Sequence, residues 1–348
     1  MTPNQYKFLT EDQVENFMKY GYLRIPEAFS VEKAASWSAQ LWDRLGYSPT
    51  DKSTWLQERV NMPAHNREHV RTFSPKAWGA MCELLGGEDR IHPKSGLWSD
   101  GFIVNLGTEE WKKNGPPPPK MLENWHCDGD SFVHFLDSPE QGLLVIPIFS
   151  DIEVNGGGTI IATDGIGAVA RHLWEHPEGV NSRMVPVGEQ ELSPDFSRFK
   201  KWVQEECSEF HEMTGKTGDV ILMHPLMLHS VSKNCLRVPR IITNPLTCMK
   251  EPFNYDREDP ADYSLVERKT LKELGVERLN GWKITGKRQR VIPERLRVHA
   301  LMRETEERRL RGERVESTDI TGVTHGTITA GHVISMERLM ACDTQAFF

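Results

Sequence analysis

Apolar and polar positions along the chain follow two rhythms, a helical one at the N-terminus and a strand-like one in the middle. Val14, Phe17 and Met18 recur at the three-and-four spacing of a helix face, behind the capping-box sequence Thr10-Glu11-Asp12-Gln13 and ahead of Gly21, which supplies the stop. A short strand over 22–26 follows, then a second helix over about 30–45 ended by Gly46. A third helix is opened by Ser74-Pro75 and closed by Gly86-Gly87. Further on the period shortens. Phe102-Ile103-Val104-Asn105-Leu106 alternates like a strand, and 142–150 is a continuous apolar run that reads as a strand buried on both faces. Asn155-Gly156-Gly157-Gly158 makes a tight turn into the strand Thr159-Ile160-Ile161-Ala162, and Thr217-Gly218-Asp219 turns into the apolar run that ends at His229. A helix is expected near 194–210 and a long polar one over 293–314. Residues 47–72 show no period, and 107–120, with four consecutive prolines, reads as a stiff polyproline loop beside the site entrance or on the plain surface. The pattern alone predicts mixed helix and strand with a β-rich middle.

Composition narrows the setting. A chain of 348 residues with a 38% hydrophobic share and a mean hydropathy of −0.51 suits one large globular domain or two, and no apolar run approaches the roughly 20 residues that span a bilayer. The first ten residues lack the basic start and apolar core of a leader, and the six cysteines show no paired spacing, so neither a disulfide framework nor a zinc knuckle is expected and a cytoplasmic setting is. The net charge is −8, yet residues 251–348 hold 17 basic and 17 acidic side chains, so the whole acidic excess lies in 1–250. That argues against nucleic acid as a partner. The change of character after Pro252 places a domain boundary near 250, with 251–348 a helical extension that packs on the core or forms a homodimer contact. Within it, Arg303-Glu304-Thr305-Glu306-Glu307-Arg308-Arg309 reads as a solvated helix face with i,i+4 pairs, a lid or dimer contact being the alternative. Residues 315–348 read as strands or as a segment packing back on the core.

Candidate chemistry begins at Asn124-Trp125-His126-Cys127-Asp128. Side chains two apart on a strand share a face, so His126 and Asp128 can offer two ligands to one metal ion. A third candidate, His229, stands at the end of the apolar run from Val220. Two imidazoles and one carboxylate leave three open positions, the arrangement that suits Fe(II) with a bidentate co-substrate and dioxygen. His224 competes with His229 for the third place, the alternative for it being a packed or supporting histidine. Arg240, in the apolar run Val238-Pro239-Arg240-Ile241-Ile242, is a fixed guanidinium fork suited to gripping a carboxylate, whereas its rival Arg237 reads as solvated or substrate-facing. His134, His172, His176 and His211 read as surface groups, Asp130 as turned away at Gly129, and Trp125 as core packing.

Taken together, Trp125-His126-Cys127-Asp128, Asn155-Gly156-Gly157-Gly158-Thr159, Gly218-Asp219-Val220, His224-Pro225 with His229, Asn234 and Arg240 resemble the phytanoyl-CoA dioxygenase-like family of Fe(II)/2-oxoglutarate-dependent oxygenases, over about residues 10–247. The resemblance implies an α+β fold with a double-stranded β-helix (jelly roll, cupin-like) core and flanking helices. It implies Fe(II) on His126, Asp128 and His229, and 2-oxoglutarate anchored by Arg240, with Thr159 and Asn105 as candidate contacts, Asn105 being otherwise an ordinary strand residue at a barrel rim. The activity it implies is oxidation of a small organic molecule, by hydroxylation or by related desaturation or ring closure, with 2-oxoglutarate and dioxygen converted to succinate and carbon dioxide. The carboxylate of Asp128 speaks against halogenation. Substrate identity is expected to be decided in 47–72 and 164–214. Two alternatives stay open: an inactive relative acting as a binding protein, and a zinc or manganese cupin that does not use 2-oxoglutarate.

Overall fold

Local signals build the first helix, α1 (Glu11–Tyr20): the Thr10 hydroxyl accepts from the Gln13 amide at 3.2 Å, the Gln13 side chain accepts from the Thr10 amide at 3.0 Å, and Gly21 closes the helix in the left-handed conformation. The computed structural model describes residues 6–93, 95–190, 197–293 and 295–315. In chain order β1 (Tyr22–Ile25), α2 (Val31–Ser38), α3 (Leu41–Leu45), β2 (Arg59–Asn61), β3 (Arg67–His69), α4 (Val70–Phe73), α5 (Pro75–Leu85), β4 (Leu97–Ser99), β5 (Ile103–Asn105) and α6 (Glu109–Asn114) follow. Then come β6 (Leu144–Pro147), β7 (Thr159–Ala162), α7 (Gly165–Glu175), α8 (Arg198–Glu205), β8 (Phe210–Met213), β9 (Val220–Met223), β10 (Leu228–Val231), β11 (Arg240–Ile242), α9 (Leu265–Leu274) and α10 (Arg295–Leu310).

The strands are short and antiparallel. One sheet has the order β1-β9-β6 and another β11-β5-β2, and bridges from Leu143 to Thr247 and from Ile148 to Ile242 join them edge to edge. A second layer has the order β10-β7-β8 and gains a further edge where His126 bridges His229. β3 and β4 form a separate ribbon. Every residue of β6 and β9 is buried, which explains their unbroken apolar sequence: strands covered on both faces need no alternation. α9 packs against α1, α5 and α7, so part of the chain beyond residue 250 lies on the N-terminal helices, while α10 lies on α3. The mixture of helices and antiparallel sheets is α+β.

Several boundaries differ from the sequence reading. The helix expected over 30–45 is two: the Ser38 hydroxyl bonds back to the Ala34 carbonyl at 2.9 Å, and the chain turns at Ala39-Gln40 before α3. The stretch 107–120 is not a plain polyproline loop. Thr108 caps α6 by accepting from the Trp111 amide at 3.2 Å, two glutamates occupy its first turn, and Gly115 ends it. Of the prolines after it, Pro118 has extended backbone, at φ −52° and ψ 143°, and Pro119 opens a single 3₁₀ turn over Pro119–Met121. Residues 47–72, without period in sequence, contain β2 and β3, each three residues long and too short to show alternation. Among the described residues the helix expected near 194–210 is α8, capped by Ser197, and the chain from Phe210 is strand, while 194–196 lie outside the described residues. The reading of 315–348 falls, beyond Val315, outside the described residues.

Candidate metal centre

His229 owes its place to β10, which pairs with β7 in the register His229 opposite Ile161 and Val231 opposite Thr159. His126 is then fixed by His229 itself: the two residues exchange backbone hydrogen bonds, each amide donating to the other's carbonyl at 3.0 Å. Asp128 follows two residues on. The consequence is a cluster in which one ligand atom from each of His126, Asp128 and His229 lies within 4.8 Å of the others. One Asp128 oxygen stands 3.4 Å from His126 Nε2 and 3.6 Å from His229 Nε2. An ion about 2.1 Å from each ligand atom fits this spacing, because neighbouring corners of such a shell lie about 3 Å apart.

The imidazoles are also oriented for the task. His126 Nδ1 donates to the Asn124 carbonyl at 2.8 Å and His229 Nδ1 to the Met227 carbonyl at 3.0 Å, which leaves Nε2 of each ring free for a metal. Burial alone would raise the Asp128 carboxyl, but His229 and His126 beside it hold it well below the usual carboxylate range. Burial would lower His229, and Asp128 outweighs it and raises the imidazole. Asp128 and His229 thus sustain each other's charge.

A cleft of about 480 Å³ opens over these ligands, with walls from both sheet layers. Arg240 forms part of its lining. It is 2% exposed, its Nε donates to the Gly157 carbonyl at 2.8 Å and its Nη1 to the Ile103 carbonyl at 3.3 Å, and among the described residues no carboxylate pairs with it. Burial, with help from neighbouring Arg59, pushes its pKa down to about 9. The turn before β7 makes this seat possible: Gly157 is left-handed at φ 85°, and a Cβ there would stand 2.8 Å from both the Asn105 amide nitrogen and Asn234 Cβ.

Thr159, at the start of β7, also lines the cleft. Asn105 does not. It lies directly opposite Arg240 in the β11–β5 register, yet its amide nitrogen donates to the Ser232 carbonyl at 3.0 Å and its oxygen accepts from the Gly107 amide at 3.2 Å, so it braces the turn rather than facing a ligand. His224 is fully buried away from the cluster, with Nε2 2.9 Å from the Thr270 hydroxyl, and it ties α9 to the core. Arg237 is neither solvated nor in the cleft lining: it is 7% exposed, pairs with Glu109 of α6 and lies 5.4 Å from the Trp55 ring centre. His134 and His172, read as surface groups, are buried and bonded to the carbonyls of Gly129 and Met184. Asp130 does turn from the metal face, at a left-handed Gly129, and forms a two-point ion pair with Arg295 at 2.6 and 2.9 Å. Trp125 is buried against Phe210.

Sequence reasoning missed Arg59 and Asn61 of β2, Ser99, and Arg295 with His299 of α10, all lining the cleft. Arg59-Val60-Asn61 does alternate, but over three residues. Arg295 and His299 carry the i,i+4 spacing of one helix face, hidden in a charge-rich helix.

No family model matches the chain, and no curated protein matches it. Among solved structures it is similar to the non-heme alpha ketoglutarate dependent carbocyclase SnoK from nogalamycin biosynthesis, at 15% identity and a TM-score of 0.38 over 69% of this chain and 84% of that one. It is also similar to HygX from Streptomyces hygroscopicus with nickel, 2-oxoglutarate and hygromycin B bound, at 12% identity and a TM-score of 0.37 over 69% and 86%. A third is EctD from S. alaskensis in its apoform, at 15% identity and a TM-score of 0.37 over 74% and 84%.

Proposed function

We propose that the protein is an Fe(II)- and 2-oxoglutarate-dependent dioxygenase of the phytanoyl-CoA dioxygenase-like kind, which hydroxylates a small organic molecule on a double-stranded β-helix core. Residues 1–250 form the catalytic domain and 251–348 an extension of it. The observation that carries this reading is Arg240: a buried guanidinium without an acidic partner among the described residues, lining the same cleft as three side chains that could hold a metal ion. A buried charge left unpaired is costly, so the cleft is built for an occupant that brings a carboxylate. A dicarboxylate with a keto group beside one acid end answers both features, chelating the metal at one end and meeting Arg240 at the other.

His126, Asp128 and His229 would hold the iron, Arg240 the distal carboxylate, and Thr159 a polar contact on the same wall. Bound there, iron and 2-oxoglutarate supply the oxidation: dioxygen and 2-oxoglutarate become succinate and carbon dioxide, and one oxygen atom is inserted into a C–H bond of the substrate. The chain's own part is to hold the two ring nitrogens and the carboxylate on one side, to fix the co-substrate's orientation, and to line the rest of the cleft with Leu144, Ile146, Met223 and Ile242, which exclude water. An anaerobic titration tests the reading. The full chain loaded with Fe(II) should bind 2-oxoglutarate, and admission of air should release succinate. Both should vanish in His126→Ala. Turnover of a substrate that persists without 2-oxoglutarate would instead mark a metal-dependent cupin of another kind.

A further inference from the structure

We propose that the organic substrate of this site is an acid, and that Arg59 holds its anionic group; the proposal rests on the co-substrate reading given above. Arg59 and Asn61 alternate with buried Val60 on β2, so both point to the cleft. Glu58, the acid next to Arg59, turns to the other face and pairs with Lys233 at 3.2 Å. Among the described residues no hydrogen bond or ion pair engages the Arg59 guanidinium.

The other cations of the cleft are accounted for. Arg295 is neutralised by Asp130 in a two-point ion pair. Arg240 is pinned by the Gly157 and Ile103 carbonyls, and a 2-oxoglutarate carboxylate completes it. His299 is held neutral, since burial pushes its pKa down to about 4. Among the described residues Arg59 therefore remains as the lining cation with no acid in hydrogen-bonding contact, close enough to Arg240 that its charge disfavours that of Arg240. Arg59 keeps solvent access within the cleft lining, and such burial as it has pulls its pKa down against the opposing pull of Glu58. With the metal, the Asp128 carboxylate and the doubly charged co-substrate in place, the cleft keeps about one surplus positive charge, the one on Arg59. A substrate bearing a carboxylate or comparable anion removes that surplus, and the planar fork of Arg59 offers it two-point hydrogen bonding with the Asn61 amide alongside.

The test uses the full chain loaded with Ni(II), so that binding is read without turnover. Affinity for 2-oxoglutarate is measured first for wild type, Arg59→Gln and Arg240→Gln. Arg240→Gln should weaken it at least tenfold, and Arg59→Gln should leave it within twofold. The Ni(II)- and 2-oxoglutarate-loaded proteins are then offered a panel of small free acids, each beside its own primary amide, with binding read by ligand-observed NMR. In the wild type the binders should be acids, at least tenfold tighter than their amides. That preference should disappear in Arg59→Gln and persist in Arg59→Lys. Amides that bind as well as acids, or an acid preference that survives Arg59→Gln, overturn the proposal. So does a loss of 2-oxoglutarate affinity in Arg59→Gln equal to that in Arg240→Gln, which would make Arg59 part of the co-substrate grip. Absence of 2-oxoglutarate binding to the wild type, seen before any acid is added, fails the underlying reading instead.

Discussion

A guanidinium that is 2% exposed and, among the described residues, bonds only to carbonyls is in an unfinished environment, and Arg240 is the residue on which the co-substrate proposal turns. Lysine at this position would keep the charge but lose the bond from Nε to Gly157 and the planar two-point face. Arg240→Lys should therefore weaken 2-oxoglutarate binding by about tenfold, or about 1.4 kcal/mol, while leaving metal affinity unchanged. Equilibrium titration of the metal-loaded variant checks this, and an unchanged affinity would point to another cation. The buried histidines make a second residue-scale prediction. Burial pushes His224 down to about 3 and His172 to about 4, from an ordinary value of 6.5. Below pH 6.5 the unfolded chain takes up protons that these imidazoles refuse in the folded state, so their contribution to stability is complete above 6.5 and is lost as pH falls toward 4. The melting temperature should drop between pH 7 and pH 5, and the drop should be smaller in His224→Gln, which can still bond to Thr270. Equal drops in the two proteins would show that His224 is not kept neutral. At this scale the clustering of His126, Asp128 and His229 was legible because strand alternation by itself puts the first two on one face, and an apolar run delivers the third. Asn105 misled for the converse reason: its place on β5 was readable, but the loop after β10 that occupies its amide was not.

Helix α10 shows why elements are harder to read than residues. Its sequence has little apolar periodicity, and its charge run reads as a solvated face; one pair, Arg303 with Glu307 at 3.0 Å, is of that kind. Glu306 is not. At 3% exposure it accepts from Arg44 Nε at 2.9 Å and lies 2.9 Å from His65 Nε2, while Arg44 also reaches Asp100 at 3.2 Å and the Pro63 carbonyl at 2.6 Å. The helix is thus held by buried ions whose partners lie some 200 or more positions away, which no local pattern could announce. Removing one member of such a network strands the others in low dielectric, so Glu306→Ala should cost about 3–5 kcal/mol, with Glu306→Gln, which still offers an acceptor to Arg44, milder. Urea unfolding monitored by circular dichroism measures both. An alanine variant within about 1 kcal/mol of wild type would mean that α10 is not anchored here. The same anchorage carries Arg295 and His299 to the cleft, so substrate binding should weaken in Glu306→Ala while 2-oxoglutarate affinity holds. By contrast α1 was read to the residue, since its cap and its glycine stop are written in adjacent positions.

Across the whole molecule, the cleft exists because two sheet layers contribute side chains to the same space: His126, Thr159 and His229 from one, Arg59, Ile103, Arg240 and Ile242 from the other. Sequence reading reached the cluster of His126, Asp128 and His229 and its cleft neighbour Arg240 through motif order, but the three-residue strand that brings Arg59 carries too little pattern to be seen. This arrangement makes occupancy a matter of global stability, since a metal that binds only the folded chain raises its unfolding free energy by mass action. At a metal concentration about a hundred times the dissociation constant the gain is about 2.7 kcal/mol, which for a chain of this size is a melting shift of several degrees. Ni(II) added to chelator-treated protein should produce that shift in the wild type and in Arg240→Gln, and should not in Asp128→Ala, where two imidazoles alone remain. Adding 2-oxoglutarate should raise the midpoint again only when metal is present, and not in Arg240→Gln. The two increments separate the ion from its co-substrate: a metal shift retained in Asp128→Ala would mean that the ion sits elsewhere, and a 2-oxoglutarate shift without metal would mean that the dicarboxylate binds as a simple anion rather than as a chelate.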